Sequence, residues 1–366
     1  MPTTTVVIAA TTAAALPMPT GGNRTGGNAS GRRRTKGGTG IYSSFFMTAV
    51  ESQAPTSFAD LFTAITANIE RVVQGKPEVV ELALICLLAE GHLLIEDVPG
   101  VGKTSLAKAM AASVDASWKR LQFTPDLLPS DVLGVTVWNR GKDAFEFRPG
   151  PVFANIVLAD EINRASPKTQ AALLEAMEER QVTIDGSTYP LRAPFVVMAT
   201  QNPVEHEGTF PLPESQLDRF LMRLSIGYPN RQAELEILET HGGSTKVDIS
   251  PVVTGAQIRG MIEAVKAVHI APPLKLYLVE LAHATRSHSA IALGMSPRAT
   301  LSLQKAAKAR AAAAGRNYAT PDDVKAMAEP VLAHRLLMAP DAQLQGMTAG
   351  KVLDEIMAMV PVPNGR

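Results

Sequence analysis

Hydrophobic positions along the chain form two kinds of run, and each kind predicts one type of element. Short continuous apolar runs predict buried strands. Longer runs, in which apolar residues recur every three or four positions, predict helices. The predicted strands are His92–Ile95, Trp118–Phe123, Ile156–Ala159 and Pro194–Thr200, and the predicted helices between and around them include Phe58–Ile69, Val79–Leu88 and Pro167–Arg180.

Two stretches interrupt this pattern with the turn chemistry of β-hairpins. Leu133–Arg148 alternates polar and apolar residues around Asn139–Asp143, where a plain helix would otherwise be expected. Gln181–Pro190 turns at Asp185-Gly186, which is a favoured two-residue hairpin loop. We therefore expect two hairpins inserted among the strands and helices.

The pattern changes after Tyr228-Pro229-Asn230, which marks a domain boundary. Strand signals stop there, and helices are predicted at Gln232–His241, Gly255–His269, Pro273–His288, Pro297–Ala314 and Pro321–His334. We therefore divide the chain into a tail at 1–55, a domain of strands and helices at 56–228 and a helical domain at 229–360.

The tail is rich in Thr, Ala, Gly and Pro and is expected to be disordered. Its segment Val6–Leu16 is too short to span a bilayer and lacks a preceding basic residue, so no membrane anchor is expected. A signal peptide, a basic nucleic-acid arm at Arg32–Lys36 and a true translation start at Met47 stay open as alternatives. We expect residues 1–46 to be dispensable for the function of the folded part.

Composition describes a globular chain of about two domains. It has 366 residues, of which 46% are hydrophobic, and a formal net charge of zero. Residues 1–46 hold five of the 35 basic residues and no acidic ones, so the rest has 30 basic against 35 acidic residues. This mild acidity argues against a nucleic-acid surface. The single cysteine, Cys86, excludes an internal disulfide and fits the reducing cytoplasm.

The stretch Leu93–Lys108 has the order that a phosphate-binding loop needs: strand, glycine loop, Lys-Thr, helix. Glycines let backbone N–H groups approach a phosphate, and the helix start adds further donors. Lys103 would contact the outer phosphates and the Thr104 hydroxyl would bind Mg²⁺. The nucleotide-binding residues predicted here are Asp97, Val98, Pro99, Gly100, Val101, Gly102, Lys103, Thr104 and Ser105, with Asp97 standing where the usual pattern begins with glycine.

Four further sites carry candidate chemistry. Asp160-Glu161 follow a buried strand, where the first would hold Mg²⁺ and the second would orient the attacking water. Asn202 is either a turn residue before proline or an amide that reaches a water or the γ-phosphate. Arg219 is either a surface cation paired with its neighbour Asp218 or an arginine offered to another subunit's phosphate. Arg298 lies in the first turn of a helix capped by Ser296, where a cation opposes the helix dipole and suggests an anionic partner.

With these elements in order, the chain resembles an AAA+ ATPase of the MoxR family. The resemblance covers roughly Phe58–Leu337, and its most specific segments are EDVPGVGKT, ADEINRASPKTQAALLEAMEERQVTIDG, ATQNP, LPESQLDRF and SPRAT. It implies that Lys103 and Thr104 are the Walker A pair and that Asp160 and Glu161 are Walker B, with Glu161 as general base. It further implies that Asn202 is sensor 1, Arg219 the arginine finger and Arg298 sensor 2, and that Val73 and Gly75 lie near adenine.

The resemblance also implies an architecture and partners. The fold would be an α/β core of αβα layers around a five-stranded parallel sheet, followed by an all-helical lid. The hairpins would be the helix-2 and pre-sensor-1 inserts of this branch. ATP with Mg²⁺ would bind at a subunit boundary in a homo-oligomeric ring, usually a hexamer. The ring would remodel or mature a separate protein with a von Willebrand factor A domain, in some cases by inserting a metal cofactor.

Two other functions stay open at this point. A helicase-like nucleic-acid motor needs basic hairpin tips, whereas the second tip, Asp185–Thr188, has no Lys or Arg, and Asp143 offsets Arg140 and Lys142 in the first. Stimulation of ATP turnover by single-stranded DNA would favour it. A low-turnover nucleotide-dependent switch is the other alternative, and the intact Asp160-Glu161 pair argues against it.

Overall fold

A parallel sheet of five strands lies at the centre of the first domain. In the computed structural model, the described residues are 57–202, 208–232, 234–235 and 249–362, all within one compact unit. The strands of this region are β1 Leu93–Glu96, β2 Trp118–Gln122, β3 Gly134–Asn139, β4 Ala144–Pro149, β5 Ile156–Asp160, β6 Gln181–Ile184, β7 Ser187–Pro190, β8 Val196–Gln201 and β9 Met222–Leu224. The sheet order is β2-β5-β8-β1-β9, and every neighbouring pair is parallel.

The helices of the first domain flank this sheet. They are α1 Phe58–Glu70, α2 Pro77–Leu88, α3 Lys103–Ser113, α4 Pro129–Leu133, α5 Pro167–Glu179 and the short α6 Glu214–Leu217. The predicted strands, the predicted helices and the five-stranded parallel sheet are confirmed, while α4 has no counterpart among the predictions. Pro77 stands in the first turn of α2, where its missing N–H costs no hydrogen bond.

The central strands of the sheet are buried on both faces, and their side chains alternate between the two faces. In β5, Ile156 and Leu158 pack into one hydrophobic cluster with α1, α2 and α3, whereas Val157 and Ala159 pack into a second cluster with α5. All four residues are fully buried. Burying a side chain of this kind contributes about 1.5–3 kcal/mol for the larger residues. Two-sided burial explains why these strands read as continuous apolar runs.

Both predicted hairpins form. β3 pairs with β4, and β6 pairs with β7 around Asp185-Gly186, whose φ values of 50° and 77° are those of a tight two-residue hairpin turn. The two hairpins touch through Phe147 and Tyr189, whose stacked rings have centroids 4.2 Å apart. Trp138 and Phe145 lie at the outer end of the first hairpin, where they are 48% and 72% exposed.

The second half of the chain is helical, as expected. Its elements are α7 Gly255–Ala267, α8 Pro272–Ser287, α9 Pro297–Ala313, α10 Pro321–Leu332, α11 Pro340–Leu344 and α12 Ala349–Met359, with β10 Ile291–Leu293 and β11 Leu337–Met338. The antiparallel pair β10–β11 is a correction in detail, because no strand was expected beyond Tyr228. Such short pieces carry too few residues for a periodic signal.

Some predictions fall on residues that the structure does not describe. The tail at 1–55 lies outside the described residues, and so does most of the predicted helix Gln232–His241. Within the described ranges, no helix combines the length and apolarity needed to cross a bilayer.

Candidate nucleotide-binding site

The glycine loop between β1 and α3 has the backbone that the sequence requires. Gly100 and Gly102 adopt φ values of 87° and 99°, a left-handed region that favours glycine. A Cβ at either position would meet no atom within 4 Å, so conformation rather than space demands glycine there. Gly102 caps α3, and no side chain bonds to this helix end. The first N–H groups of α3 are therefore available to an anion.

Lys103 begins α3 and points back into the loop. Its Nζ donates to the carbonyl oxygen of Asp97 at 2.7 Å. Burial lowers the pKa of this ammonium, while the nearby carboxylates of Asp160, Asp97 and Glu161 act in the opposite direction. The contact to Asp97 holds the ammonium over the loop, where a phosphate can replace the carbonyl as its partner.

The Asp97 carboxylate is hydrogen-bonded to a distant part of the chain. Its Oδ2 accepts from the backbone N–H of Ile226 at 2.5 Å and of Gly227 at 2.8 Å, and from the Ser225 hydroxyl. These bonds fasten the loop to the chain that leaves β9. The buried carboxylate of Asp97 therefore stabilises the loop. A contact between Asp97 and a nucleotide stays a prediction, and it concerns the main chain of this residue only.

Asp160 ends β5 and Glu161 follows it, and both share a hydrogen-bond network with β8. The Thr200 hydroxyl donates to Asp160 Oδ1 at 2.7 Å and accepts from the Glu161 backbone N–H at 2.8 Å. Glu161 adopts the left-handed conformation, with φ 56° and ψ 50°, which is uncommon outside glycine. Such a residue costs about 1–3 kcal/mol and persists where surrounding contacts impose it. Thr200 is one of those contacts.

Two cations neutralise this carboxylate pair. Arg120 places Nη2 at 2.6 Å and Nε at 3.1 Å from Asp160 Oδ2. Arg164 Nη1 and Gln122 Nε2 donate to Glu161 Oε2 at 2.9 Å and 2.7 Å. Sequence reasoning missed Arg120 and Gln122. The sequence shows that the two residues occupy alternate positions of β2, but it does not show that β2 pairs with β5.

A cavity of about 210 Å³ joins these groups at the carboxyl ends of the strands. Its described lining residues are Pro99, Gly100, Gly102, Lys103, Thr104, Arg120, Asp160, Glu161 and Asn202. Asn202 directly follows β8 and is buried. Oxygen donors from Thr104 and Asp160 are the ligand type that Mg²⁺ prefers. In the described part of the chain, no three His, Cys, Asp or Glu side chains cluster as a metal site made by protein alone.

Val73 and Gly75 are not among the described residues that line this cavity. Val73 is buried and packs into the first hydrophobic cluster, and its N–H donates to Ile69. Gly75 adopts a φ of 69° in the turn before α2. The structure therefore gives the Val73 side chain a core role, and the contact of this loop with adenine stays a prediction.

Arg219 and Arg298 lie away from this cavity, and both pair with Glu178. Arg219 Nη1 lies 3.2 Å from Glu178 Oε2, and Arg298 Nη2 pairs with Glu178 Oε1. Neither arginine is among the described residues lining the phosphate cavity, whereas Arg219 lines a separate cleft of about 270 Å³ with Glu175, Glu178 and Glu179. Glu178 on α5 was missed, because an acidic residue on a helix surface carries no signal in sequence.

A cluster of polar contacts beside this pair of arginines joins the first domain to the helical region. Arg335 Nε lies 3.2 Å from Asp218 Oδ1, and its Nη2 donates to the carbonyl of Phe220 at 2.7 Å. The Ser296 hydroxyl donates to Asp218 Oδ2 at 3.2 Å and caps α9, as predicted. Burial lowers the pKa of Arg335 to about 10, so it stays charged near neutral pH. The cap of α9 and the segment before β9 are therefore joined at Asp218.

The fold and the cavity together define a P-loop nucleotide-binding protein, and comparisons with known proteins place it more closely. The family model described as "ATPase family associated with various cellular activities (AAA)" matches residues 92–222, and a model of the AAA lid domain matches 283–356. A crystal structure from Cytophaga hutchinsonii, whose protein is named only as a candidate ATPase, superposes with a TM-score of 0.79 at 37% identity. The superposition covers 84% of this chain and 96% of the Cytophaga chain.

Three relatives illustrate the likeness in sequence. Uncharacterized protein YeaC of Bacillus subtilis is 50% identical over 297 residues, which are 81% of this chain and 93% of the relative. Chaperone MoxR1 of Mycobacterium tuberculosis is 42% identical over 306 residues, 81% of each chain. Protein MoxR of Paracoccus denitrificans is 32% identical over 331 residues, 82% of this chain and 96% of the relative. The chain belongs to the MoxR family of AAA+ ATPases.

Proposed function

We propose that this chain hydrolyses ATP with Mg²⁺ as one subunit of a homo-oligomeric ring, a hexamer, and uses the energy to remodel a partner protein. The observation that carries the proposal is the cavity in which the glycine loop, Lys103, Thr104 and the Asp160-Glu161 pair converge. Phosphoryl transfer needs positioned cations, a held metal ion and an oriented water, and little covalent chemistry from the protein.

Each residue of the cavity has a separate task in this proposal. Lys103 and the first N–H groups of α3 bind the phosphates, and Thr104 and Asp160 hold Mg²⁺. Glu161 takes the proton of the attacking water, while Arg164 and Gln122 hold its Oε2 in place. Asn202, at the end of the neighbouring strand, orients that water or the γ-phosphate.

The location of the two arginines supports the proposal of a ring. Arg219 and Arg298 share Glu178 and do not line the chain's own phosphate cavity. If they stabilise charge on a transferring phosphoryl group, a neighbouring subunit must supply that group. An arginine provided in this way is worth about 10³–10⁵ in kcat.

The partner would be a protein, for which we expect a separate polypeptide with a von Willebrand factor A domain in the cytoplasm. Metal-cofactor insertion is one form that the remodelling could take. Lys142 in the first hairpin is already paired with Glu146, and the hairpin's outer end exposes Trp138 and Phe145. A surface of this kind favours polypeptide over a phosphate backbone, because nucleic-acid affinity comes mainly from unpaired cations. Stimulation by single-stranded DNA would contradict this choice.

A subunit-mixing experiment tests the shared site directly. Arg219→Ala keeps a complete phosphate cavity but cannot serve its neighbour, whereas Lys103→Ala loses its own cavity and keeps both arginines. Each variant alone should be nearly inactive as an Mg²⁺-dependent ATPase. Mixing them should restore activity, because mixed rings contain junctions with one intact cavity and one intact arginine.

Two controls are needed to interpret the mixing experiment. Lys103→Ala mixed with Glu161→Gln should stay inactive, because both variants damage the same cavity. Wild-type turnover per subunit should rise with protein concentration as rings assemble. If mixing restores nothing and the wild-type rate per subunit is independent of concentration, the shared-site proposal is wrong.

A further inference from the structure

Asp160 is fully engaged by protein groups in the structure, although it is the carboxylate expected to hold the metal. Its Oδ1 accepts from Thr200, a fully buried residue, so this contact belongs to the interior. Its Oδ2 accepts two bonds from the Arg120 guanidinium. Mg²⁺ needs a carboxylate oxygen at about 2.0–2.1 Å, and a guanidinium on that oxygen competes for it.

Arg120 has room to leave Asp160. It lies on β2, an edge strand of the sheet, and its side chain is 49% exposed, against 14% for Asp160. Beyond Asp160, its hydrogen bond is to Gln122 Oε1 at 3.2 Å. It also lines the phosphate cavity beside Lys103 and Thr104. A small rotation of an exposed side chain therefore carries the guanidinium from the carboxylate toward the space for phosphate.

Charge balance indicates why such a move would accompany nucleotide binding. A guanidinium cannot lose its proton at any ordinary pH, so a dication at Asp160 would repel it. The phosphates that arrive with the metal offer it a new partner of matching geometry, since arginine binds phosphate through two parallel N–H donors. Arg120 and Asp160 would then each have a partner of opposite charge, with or without the bound metal and nucleotide.

We propose that Arg120 takes the place of the metal: it neutralises Asp160 whenever no metal is bound and transfers to the phosphates when Mg-nucleotide binds. Arg120 thereby lets the site bind nucleotide without metal and sets the Mg²⁺ concentration at which binding saturates. This inference rests on the proposed nucleotide site, although it requires neither hydrolysis nor a ring.

Titration of fluorescently labelled ADP against the full chain tests the proposal. It is done in EDTA and again at increasing Mg²⁺, with wild type and Arg120→Met. In EDTA the variant should bind about tenfold more weakly, because Asp160 then faces the phosphates without a counter-charge. At saturating Mg²⁺ its affinity should return to within about threefold of wild type, and the half-saturating Mg²⁺ concentration should be lower.

Two further variants separate this role from a structural one. Arg120→Lys keeps the cation and should recover most of the metal-free binding. Lys119→Met removes a cation from the opposite face of the same strand and should change nothing. Thermal unfolding of each variant confirms that the chain is folded.

Either of two results would overturn the proposal. Arg120→Met could bind ADP with wild-type affinity both in EDTA and in Mg²⁺, or it could lose affinity by the same factor under both conditions. A wild-type chain that binds ADP under neither condition, like Lys103→Ala, would instead contradict the proposed nucleotide site itself.

Discussion

Glu178→Gln tests how two cations are kept together at the proposed subunit boundary. One carboxylate pairs with both Arg219 and Arg298, and glutamine keeps its size while removing its charge. Without that charge the two guanidinium groups repel each other and should move apart. Arg219 would then be in position for a smaller fraction of the time, and turnover should fall.

The size of the effect follows from the geometry. Two guanidinium groups on one carboxylate lie about 6 Å apart, where unit charges repel by about 0.7 kcal/mol in water and about 3 kcal/mol at an effective dielectric constant of 20. The side chains of Arg219, Arg298 and Glu178 are 30%, 42% and 33% exposed, so solvent screens the repulsion strongly. We therefore expect about 1 kcal/mol, which is roughly a fivefold decrease in kcat.

Steady-state ATPase kinetics at a protein concentration that saturates assembly provide the assay. The KM for ATP should be unchanged, because the chain's own phosphate cavity is intact. Added salt should shrink the difference from wild type, since it screens exposed charges. Glu175→Gln and Glu179→Gln, which change neighbouring acids in the same cleft, serve as matched controls and should keep the wild-type kcat.

A double-variant comparison decides the interpretation. In an Arg219→Ala background, Glu178→Gln should have little further effect on kcat, because the repulsion between the two arginines is already gone. An equal loss in both backgrounds would mean that Glu178 acts elsewhere. An unchanged or higher kcat in the single variant would refute the reasoning, because the carboxylate would then compete with the phosphate instead of gathering the arginines.

Three other predictions concern catalysis and stability. Glu161→Gln should bind ATP as tightly as wild type in a filter or fluorescence assay and turn it over about 10²–10⁴-fold more slowly, and a near-normal rate would exclude it as the base. Asp323→Ala should destabilise the chain by about 3 kcal/mol in urea unfolding, because this fully buried carboxylate pairs with two arginines and caps α10; a loss under about 1 kcal/mol would contradict that. Burial lowers the pKa of both His92 and His334 to about 3, so the unfolded chain takes up protons that the fold excludes. Stability should fall as pH drops below about 6.5, by about 2 kcal/mol per histidine at pH 5, and His92→Gln should flatten that slope.

Local chemistry explains what the sequence by itself determined. The glycine loop between a strand and a helix, the tight turn at Asp185-Gly186 and the cap at Ser296 all depend on residues a few positions apart. Each is specified by backbone preferences that hold in any surroundings. The buried strands could also be predicted, because continuous apolar runs are typical of strands buried on both faces. These features were enough to predict the phosphate-binding loop and the buried strands, whereas the five-stranded sheet with its helical lid was implied by the resemblance to the MoxR family.

Only the tertiary structure decided which distant side chains complete the site. Arg120 meets Asp160 across 40 positions of sequence, and Arg298 meets Glu178 across 120. Asp97 stands in the loop itself, yet its carboxylate is committed to Gly227, 130 positions away. A charged residue on an edge strand or a helix surface has the same local pattern whether or not it has a partner. Its role is fixed by strand order and helix packing, which sum many weak contacts over the whole chain and leave no mark at any single position.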